Sequence, residues 1–254
     1  MRPLMPPSPF SPTGESLALS VVIAVFNEAE NVAAVARETL GALEGGGAKD
    51  SFEIVFVDDG STDGTVAALK ALGVRRVVVI RHIGRCGKSQ AVRTGELAAR
   101  GRWIGTMDGD GQNDPVDIVK MFDLAIAAGG SPLVAGVRRR RHDPASRLVA
   151  TRIANGLRQS LLNDGCPDTG CGLKLFERDA FLVLPVFEGQ HRFLPALFKT
   201  YGHPLVLHDV NHRPRAAGVS KYSNIGRALV GIVELFGVVW LRARTRAPKA
   251  VERA

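Results

Sequence analysis

RWIGTMDGDGQNDP, Arg102–Pro115, joins a short apolar run to a turn dense in carboxylates and glycine. The run from Arg102 to Met107 predicts a short buried strand. Asp108 and Asp110 then fall where that strand ends. Asp114 before Pro115 predicts an N-cap with proline at the first helical position. Two carboxylates one residue apart at the carboxyl end of a strand can hold a hard divalent cation, which keeps several waters and shares substrate phosphates. A plain surface turn rich in Asp and Gly is the competing reading, since such turns are common.

Working outward, strand and helix alternate. Leu17–Phe26 (LALSVVIAVF) predicts a buried strand, and NEAENVAAVARETLGAL a helix after it. Phe52–Val57 predicts the next strand, ending in DDGSTDGT, with a helix around Val66–Leu72. Arg76–Ile80 (RVVVI) predicts a strand, and Lys88–Arg100 a helix with Ala91, Gly95 and Ala98 at helical spacing. A helix from Pro115 places Ile118, Phe122 and Ala125 on one face, and Pro132–Val137 predicts a fifth strand. This alternation implies an α/β fold with a parallel sheet and right-handed crossovers. Ligands in such sheets bind beyond the carboxyl ends of the strands. Three polar clusters fall there: Asn27 and Glu28, Asp58 and Asp59, Asp108 and Asp110. No G-x-G-x-x-G follows the first strand, which argues against dinucleotide binding.

Composition limits the alternatives. The chain has 254 residues, 45% of them hydrophobic, with 28 glycines, which suits a globular α/β protein. The odd count of 3 cysteines (Cys86, Cys166, Cys171), with no Cys-x-x-Cys pair, predicts reduced thiols in a cytoplasmic protein. The first 14 residues hold 5 prolines and no apolar stretch, so residues 1–16 are expected to be a disordered arm rather than a secretory signal. A net charge of +8 points to an anionic partner. Nucleic acid is disfavoured: aromatics are only 6% of residues and none interleave with the basic stretches.

VVIAVFNEAENV, EIVFVDDGSTDGT, GKSQAVRTG and WIGTMDGDGQNDP, in that order, resemble the family 2 glycosyltransferases of the GT-A fold. The later segments DTGCGLKLFERD, HRFLPAL and RPRAAGVSKY resemble its branch of dolichol-phosphate mannosyltransferase and other polyprenyl-phosphate glycosyltransferases. The chain departs from the family where Ala24 replaces a common Pro and Arg85 stands near a common Asn. The processive Gln-x-x-Arg-Trp signature is absent, which favours transfer of one sugar.

The resemblance implies a GT-A domain over residues 17–222 and a mostly parallel, helix-flanked sheet. It also implies an inverting transfer of one mannose- or glucose-like hexose from a GDP or UDP donor to a polyprenyl phosphate. Ala24, Phe26, Asn27, Glu28, Asp58, Asp59, Gly87, Lys88, Asp108 and Gly109 would line the donor site. Glu28 and Asp59 would accept hydrogen bonds from base or ribose, with Asp58 orienting the loop; an Asx-type turn opening a helix is the alternative for Asp58 and Asp59. Gly87 and Lys88 mark a helix start suited to phosphate, although the pair on its own reads better as a solvated lysine. Asp108, Asp110 and Gln112 would hold Mg²⁺ or Mn²⁺, because oxygen ligands fit hard ions.

From Arg138 the chain runs RRRRHDPASRLVATRIANGLRQ, which reads either as a solvated basic loop or as a lipid-phosphate site. By resemblance Arg138, Arg147 and Arg215 would bind the acceptor phosphate, with Ser220 and Lys221 closing the loop. A phosphate acceptor is already anionic and needs no base. A hydroxyl acceptor would need one, and Asp168 is the candidate, its alternative role being a turn cap. Residues 223–254 form the last unit. The apolar run Ala228–Leu241, broken by Glu234, would be a helix only about 21 Å long, short of the ~30 Å of a bilayer core. With Trp240 and the basic residues after it, the segment reads as an interfacial helix, one packed on the protein's own core, or a contact for a membrane partner protein. The protein is expected on the cytoplasmic face of a membrane.

Overall fold

The computed structural model describes residues 16–138, 155–214 and 224–246. Arg147, Arg215, Ser220, Lys221 and the proline-rich arm lie outside them, as do Arg139–Arg141. The strands are β1 (Leu17–Val25), β2 (Phe52–Asp58), β3 (Val77–Arg81), β4 (Gly101–Asp108), β5 (Leu133–Arg138), β6 (Lys174–Glu177) and β7 (Leu205–Val210). The helices are α1 (Val32–Glu44), α2 (Thr65–Lys70), α3 (Lys88–Ala98), α4 (Pro115–Ala128), α5 (155–162), α6 (Arg178–Leu182), α7 (Leu194–Thr200) and α8 (Asn224–Arg244). One seven-stranded sheet runs β3-β2-β1-β4-β6-β5-β7. The β1, β2, β3 and β4 pairs are parallel, and so is β5 with β7, while β6 is antiparallel to both neighbours. This is the mostly parallel, helix-flanked GT-A architecture.

The central strands are apolar on both faces because helices cover both. Every residue of β2 is buried. One core lies between the sheet and α1 and α4, around Ile23, Phe56, Ile118 and Met121. The other lies across the sheet, around Val22, Ile104, Phe176, Phe181 and Phe198. Ser20, in an otherwise apolar strand, donates to Glu53 Oε1 (2.7 Å) and accepts from the Gly101 amide (2.8 Å). Glu53 also accepts from the Arg100 amide (2.6 Å) and Nε (2.9 Å). This buried polar network ties together the amino-terminal ends of the strands, opposite the loops that hold the candidate site.

Two differences from the sequence reading have physical causes. The helix after β1 begins at Val32, not Asn27, because Asn27 sits at φ +53° and its neighbours are spent on loop contacts. The sequence pattern does not reveal strands β6 and β7. The first is only four residues long, and the second is an edge strand interrupted by polar His208 and Asp209.

Helix α8 packs Leu235 and Val238 into the second core. Glu234, the charge interrupting the apolar run, turns inward and pairs with Arg192. Arg242 also turns inward, donating to Thr200 Oγ1 (2.7 Å) and to the Leu162 carbonyl. The outward face is left with exposed Val230, Val233, Phe236 and Trp240, and exposed Arg244 and Arg246 follow. Among the described residues no helix is long and apolar enough to cross a membrane.

Candidate donor and acceptor site

Strand register sets the site. Ala24 lies level with Val57 on β2 and Asp108 on β4, and Val25 lies level with Asp58. Three parallel strands therefore release their loops at one edge of the sheet. Those loops are sewn together. The Asn27 amide donates to Ser61 Oγ (2.8 Å), Asn27 Oδ1 accepts from the Thr62 amide (2.8 Å), and the Glu28 amide donates to Thr65 Oγ1 (2.9 Å). Glu28 Oε2 accepts from Asn31 Nδ2 (2.7 Å). Asp58 is fully buried; it accepts from the Ser61 amide (3.2 Å) and pairs with Arg81 (3.4 Å). It orients its own turn.

Asp59 reaches the next loop. Its carboxylate accepts from the amides of Cys86 (2.8 Å) and Gly87 (2.9 Å) and contacts His82 Nδ1 (2.9 Å). That loop crosses directly over Gly60, where an added Cβ would lie 2.8 Å from the Gly84 backbone. The Arg85 guanidinium stacks 4.4 Å over the Phe26 ring, so the departure at Arg85 covers a residue expected to line the donor site. Gly87, at φ +91°, then starts α3 at Lys88.

Lys88 crosses to β4 and its ammonium pairs with Asp108 Oδ1. Burial pushes the Asp108 carboxyl pKa up. The Lys88 ammonium, through its charge and its hydrogen bond, together with Lys174 and Arg138, outweighs this and holds the group below the usual carboxylate range. Gly172 packs against the other side of Asp108: a Cβ there would lie 2.7 Å from its Cγ. Lys174 is buried, donates to the carbonyls of Cys171 (2.5 Å) and Thr169 (3.2 Å), and has its pKa lowered by burial. Behind Asp108 a small cavity is lined by Lys88, Met107, Gly172, Lys174 and His191.

The DGDGQNDP turn is tied from both sides. The Asp108 amide donates to Asn113 Oδ1 (3.0 Å), Asp110 Oδ1 accepts from the Gln112 amide (3.2 Å), and Asp114 caps α4 through the Val116 amide (3.1 Å). Gln112 Nε2 donates to the Arg213 carbonyl (3.2 Å), and the Arg213 guanidinium pairs with Asp114 (3.0 Å) and Glu38. The oxygen-only set of Asp108, Asp110 and Gln112 suits a hard divalent cation. The ammonium already drawn to Asp108 shows that the position attracts positive charge. The residues fit the expected ion.

Arg138 and Asp168 are brought together as a bidentate pair, at 2.7 Å and 2.8 Å. Asp168 raises the Arg138 pKa against the effect of burial. The expected phosphate ligand and the expected base thus engage each other, and Arg138 also acts on Asp108 across the site.

Nothing in the local sequence singles out His191, Lys174, Gly172 or Arg213. His191 lies in HRFLPAL and contacts Ser89 Oγ through Nδ1 (2.7 Å). Gly172 and Lys174 lie in DTGCGLK, and Arg213 is the first residue of RPRAAGVSKY, so the quoted segments were the signal.

Comparison with known proteins bears on the fold and the family. The chain is 32% identical over 232 residues to a dodecaprenyl-phosphate galacturonate synthase of Rhizobium johnstonii, covering 89% of this chain and 68% of that protein. It is 33% identical over 208 residues to an undecaprenyl-phosphate 4-deoxy-4-formamido-L-arabinose transferase of an Enterobacter species, covering 81% of this chain and 62% of that one. The chain thus spans about two thirds of these curated relatives. Its fold matches mannosyl-3-phosphoglycerate synthase of Rubrobacter xylanophilus, with a TM-score of 0.66, 19% identity, and coverage of 92% of this chain and 79% of that one. Glucosyl-3-phosphoglycerate synthase of Mycobacterium tuberculosis, solved with Mn²⁺, UDP-glucose and phosphoglyceric acid, matches at 0.65, with 19% identity and coverage of 92% and 81%. The family model for glycosyl transferase family 2 matches residues 20–184, and the chain belongs to that family.

Proposed function

We propose that this protein moves a single sugar, with inversion, from a nucleoside-diphosphate donor to a polyprenyl phosphate. One observation carries the reading: three acidic loops leave the adjacent parallel strands β2, β1 and β4 at one level, and Asp108 at the end of β4 pairs with the Lys88 ammonium. The names of the curated relatives, which specify dodecaprenyl and undecaprenyl phosphate, support the acceptor class. The same names carry galacturonate and formamido-arabinose, so the expected mannose or glucose is one choice within a wider donor panel of GDP- and UDP-sugars.

Asp108, Asp110 and Gln112 would hold Mg²⁺ or Mn²⁺, which when bound neutralises charge on the leaving diphosphate. Lys88 would turn its ammonium to the same phosphates. Glu28 and the Phe26–Arg85 stack would bound the nucleoside. Asp59 fixes the loop before Lys88 and would meet base or ribose from there. On the acceptor side Arg147 and Arg215 would supply guanidinium forks to the lipid phosphate. Arg138, locked to Asp168, would add its field and shape that wall. An attacking phosphate oxygen is anionic without a base. Transfer to a hydroxyl, with Asp168 as base, is the second reading; the bidentate Arg138 contact disfavours it because it occupies both carboxylate oxygens that would have to accept the proton.

The outward face of α8, apolar and ending in Arg244 and Arg246, would rest in the membrane interface and hold the enzyme peripherally at its lipid substrate. A donor panel with Mg²⁺ or Mn²⁺ and polyprenyl phosphate, followed by lipid extraction and mass spectrometry, tests the proposal. A sugar-phosphate lipid that is lost in Asp110→Asn supports it. Undiminished product in Asp110→Asn would remove the metal assignment, and no lipid product with any donor would remove the acceptor class.

A further inference from the structure

We propose that Asp59, His82 and Cys86 form a second cation site on the wall of the donor cleft, chemically distinct from the one at Asp108 and Asp110, and selective for a borderline-soft ion such as Zn²⁺. A carboxylate oxygen, an imidazole nitrogen and a thiol sulfur from these residues lie within 4.8 Å of one another. Such a mixed donor set suits Zn²⁺ and its probe Co²⁺, and is a poor host for Mg²⁺ or Mn²⁺.

The site is largely built. Asp59 is 5% exposed and pinned by the Cys86 and Gly87 amides. His82 turns Nδ1 to Asp59 Oδ1 at 2.9 Å, while Nε2 lies 2.9 Å from Thr94 Oγ1, a neighbour that fixes the ring as second-sphere partners do for metal-bound histidines. Tetrahedral zinc, with ligand bonds of about 2.0–2.3 Å, sets its ligands about 3.2–3.6 Å apart. The Asp59–His82 contact must therefore open by a few tenths of an ångström. Cys86 is exposed, and its Sγ now sits 3.3 Å from the Gly84 carbonyl, so it can turn inward. Its thiol would release one proton on ligation. The fourth position, on the Cys86 side, would be taken by water.

The site has a consequence for the donor. Asp59 anchors the loop that leads into Lys88, so a cation that takes its oxygens loosens the Cys86 and Gly87 amides. Zn²⁺ would then act as an inhibitor competitive with the nucleotide. This clause rests on the proposed function; cation binding itself does not.

Cobalt titration of the full chain, reduced with a non-thiol reductant, tests the site. The wild type should show tetrahedral visible bands and a near-ultraviolet thiolate band, with Co²⁺ displaced by Zn²⁺. Cys86→Ser should lose the thiolate band, His82→Gln should weaken binding about tenfold or more, and Asp110→Asn should leave both features intact. Added UDP or GDP should weaken Co²⁺ binding several-fold. Absence of a thiolate band in the wild type, or its persistence in Cys86→Ser, would overturn the site. If the bands respond to the variants as stated but neither nucleotide alters Co²⁺ binding or binds by calorimetry, the donor reading fails while the site stands.

Discussion

Replacing Lys88 with Met separates its two roles. In the free protein the Lys88 ammonium competes with any metal ion for Asp108; in the donor complex it would help hold the diphosphate. Two unit charges about 3 Å apart attract by about 5 kcal/mol at an effective permittivity near 20. Both side chains here are 33% exposed, so solvent removes much of that. Fully exposed pairs contribute about 0–1 kcal/mol, and loss of a buried partner costs about 3–5 kcal/mol. A net value of about 1–2 kcal/mol is therefore reasonable. Lys88→Met should bind Mn²⁺ about 5–30-fold more tightly than the wild type in the absence of nucleotide. Donor affinity should move the other way by about tenfold or more, as one charge-assisted contact to phosphate is lost. Electron paramagnetic resonance of free Mn²⁺ measures the first and calorimetry with UDP or GDP the second. Mn²⁺ binding that is unchanged or weaker in Lys88→Met would refute the competition, and unchanged donor affinity would refute the phosphate role.

Other outcomes follow from separate features. Gly172→Ala would drive a methyl into the Asp108 carboxylate, so Mn²⁺ binding and turnover should fall at least tenfold while circular dichroism stays native. Glu96 is fully buried, and burial raises its pKa well above the usual value, outweighing Arg93 and Arg178. The folded state thus holds a proton that the unfolded chain loses above about pH 4.3. Stability contributed by this group falls as pH rises from there through the folded pKa, by at most about 1.4 kcal/mol per pH unit. Glu96→Gln should flatten the urea-midpoint profile over that window and raise stability at its alkaline end. Glu53→Ala leaves buried Ser20 and the Arg100 amide without their acceptor. It should lower unfolding free energy by about 3 kcal/mol by urea denaturation, with donor KM unchanged, because the network lies at the far end of the sheet.

The strands β1, β2 and β4 and the polar loops of the candidate site at their ends are legible because parallel strands buried on both faces read as unbroken apolar runs, and the polar loops that end them stand out. The Asp114–Pro115 start of α4 was legible for an equally local reason. What could not be read was pairing across the fold. Asp168 and Arg138 are 30 positions apart in sequence, and only the packing of the Asp168–Gly172 loop against β5 lets each claim the other. Lys88 reads as a solvated lysine until the sheet brings Asp108 beside it. Glu234 looks like an interruption of an apolar helix until Arg192 is seen beneath it. His191 and Lys174 lie in segments that resemble the family, yet nothing local to either shows that they border one cavity beside Lys88. β6 was hidden by its length and β7 by the half-polar pattern of an edge strand.

The central claim is transfer to a lipid phosphate, and the phosphorus atom reports it directly. Purified protein, polyprenyl phosphate, Mn²⁺ and the donor selected by the panel can be followed by ³¹P nuclear magnetic resonance. The account predicts that the lipid resonance moves from monoester to diester as nucleoside diphosphate appears, with one sugar gained per phosphate by mass. Consumption of the donor while the lipid phosphate remains a monoester would contradict it.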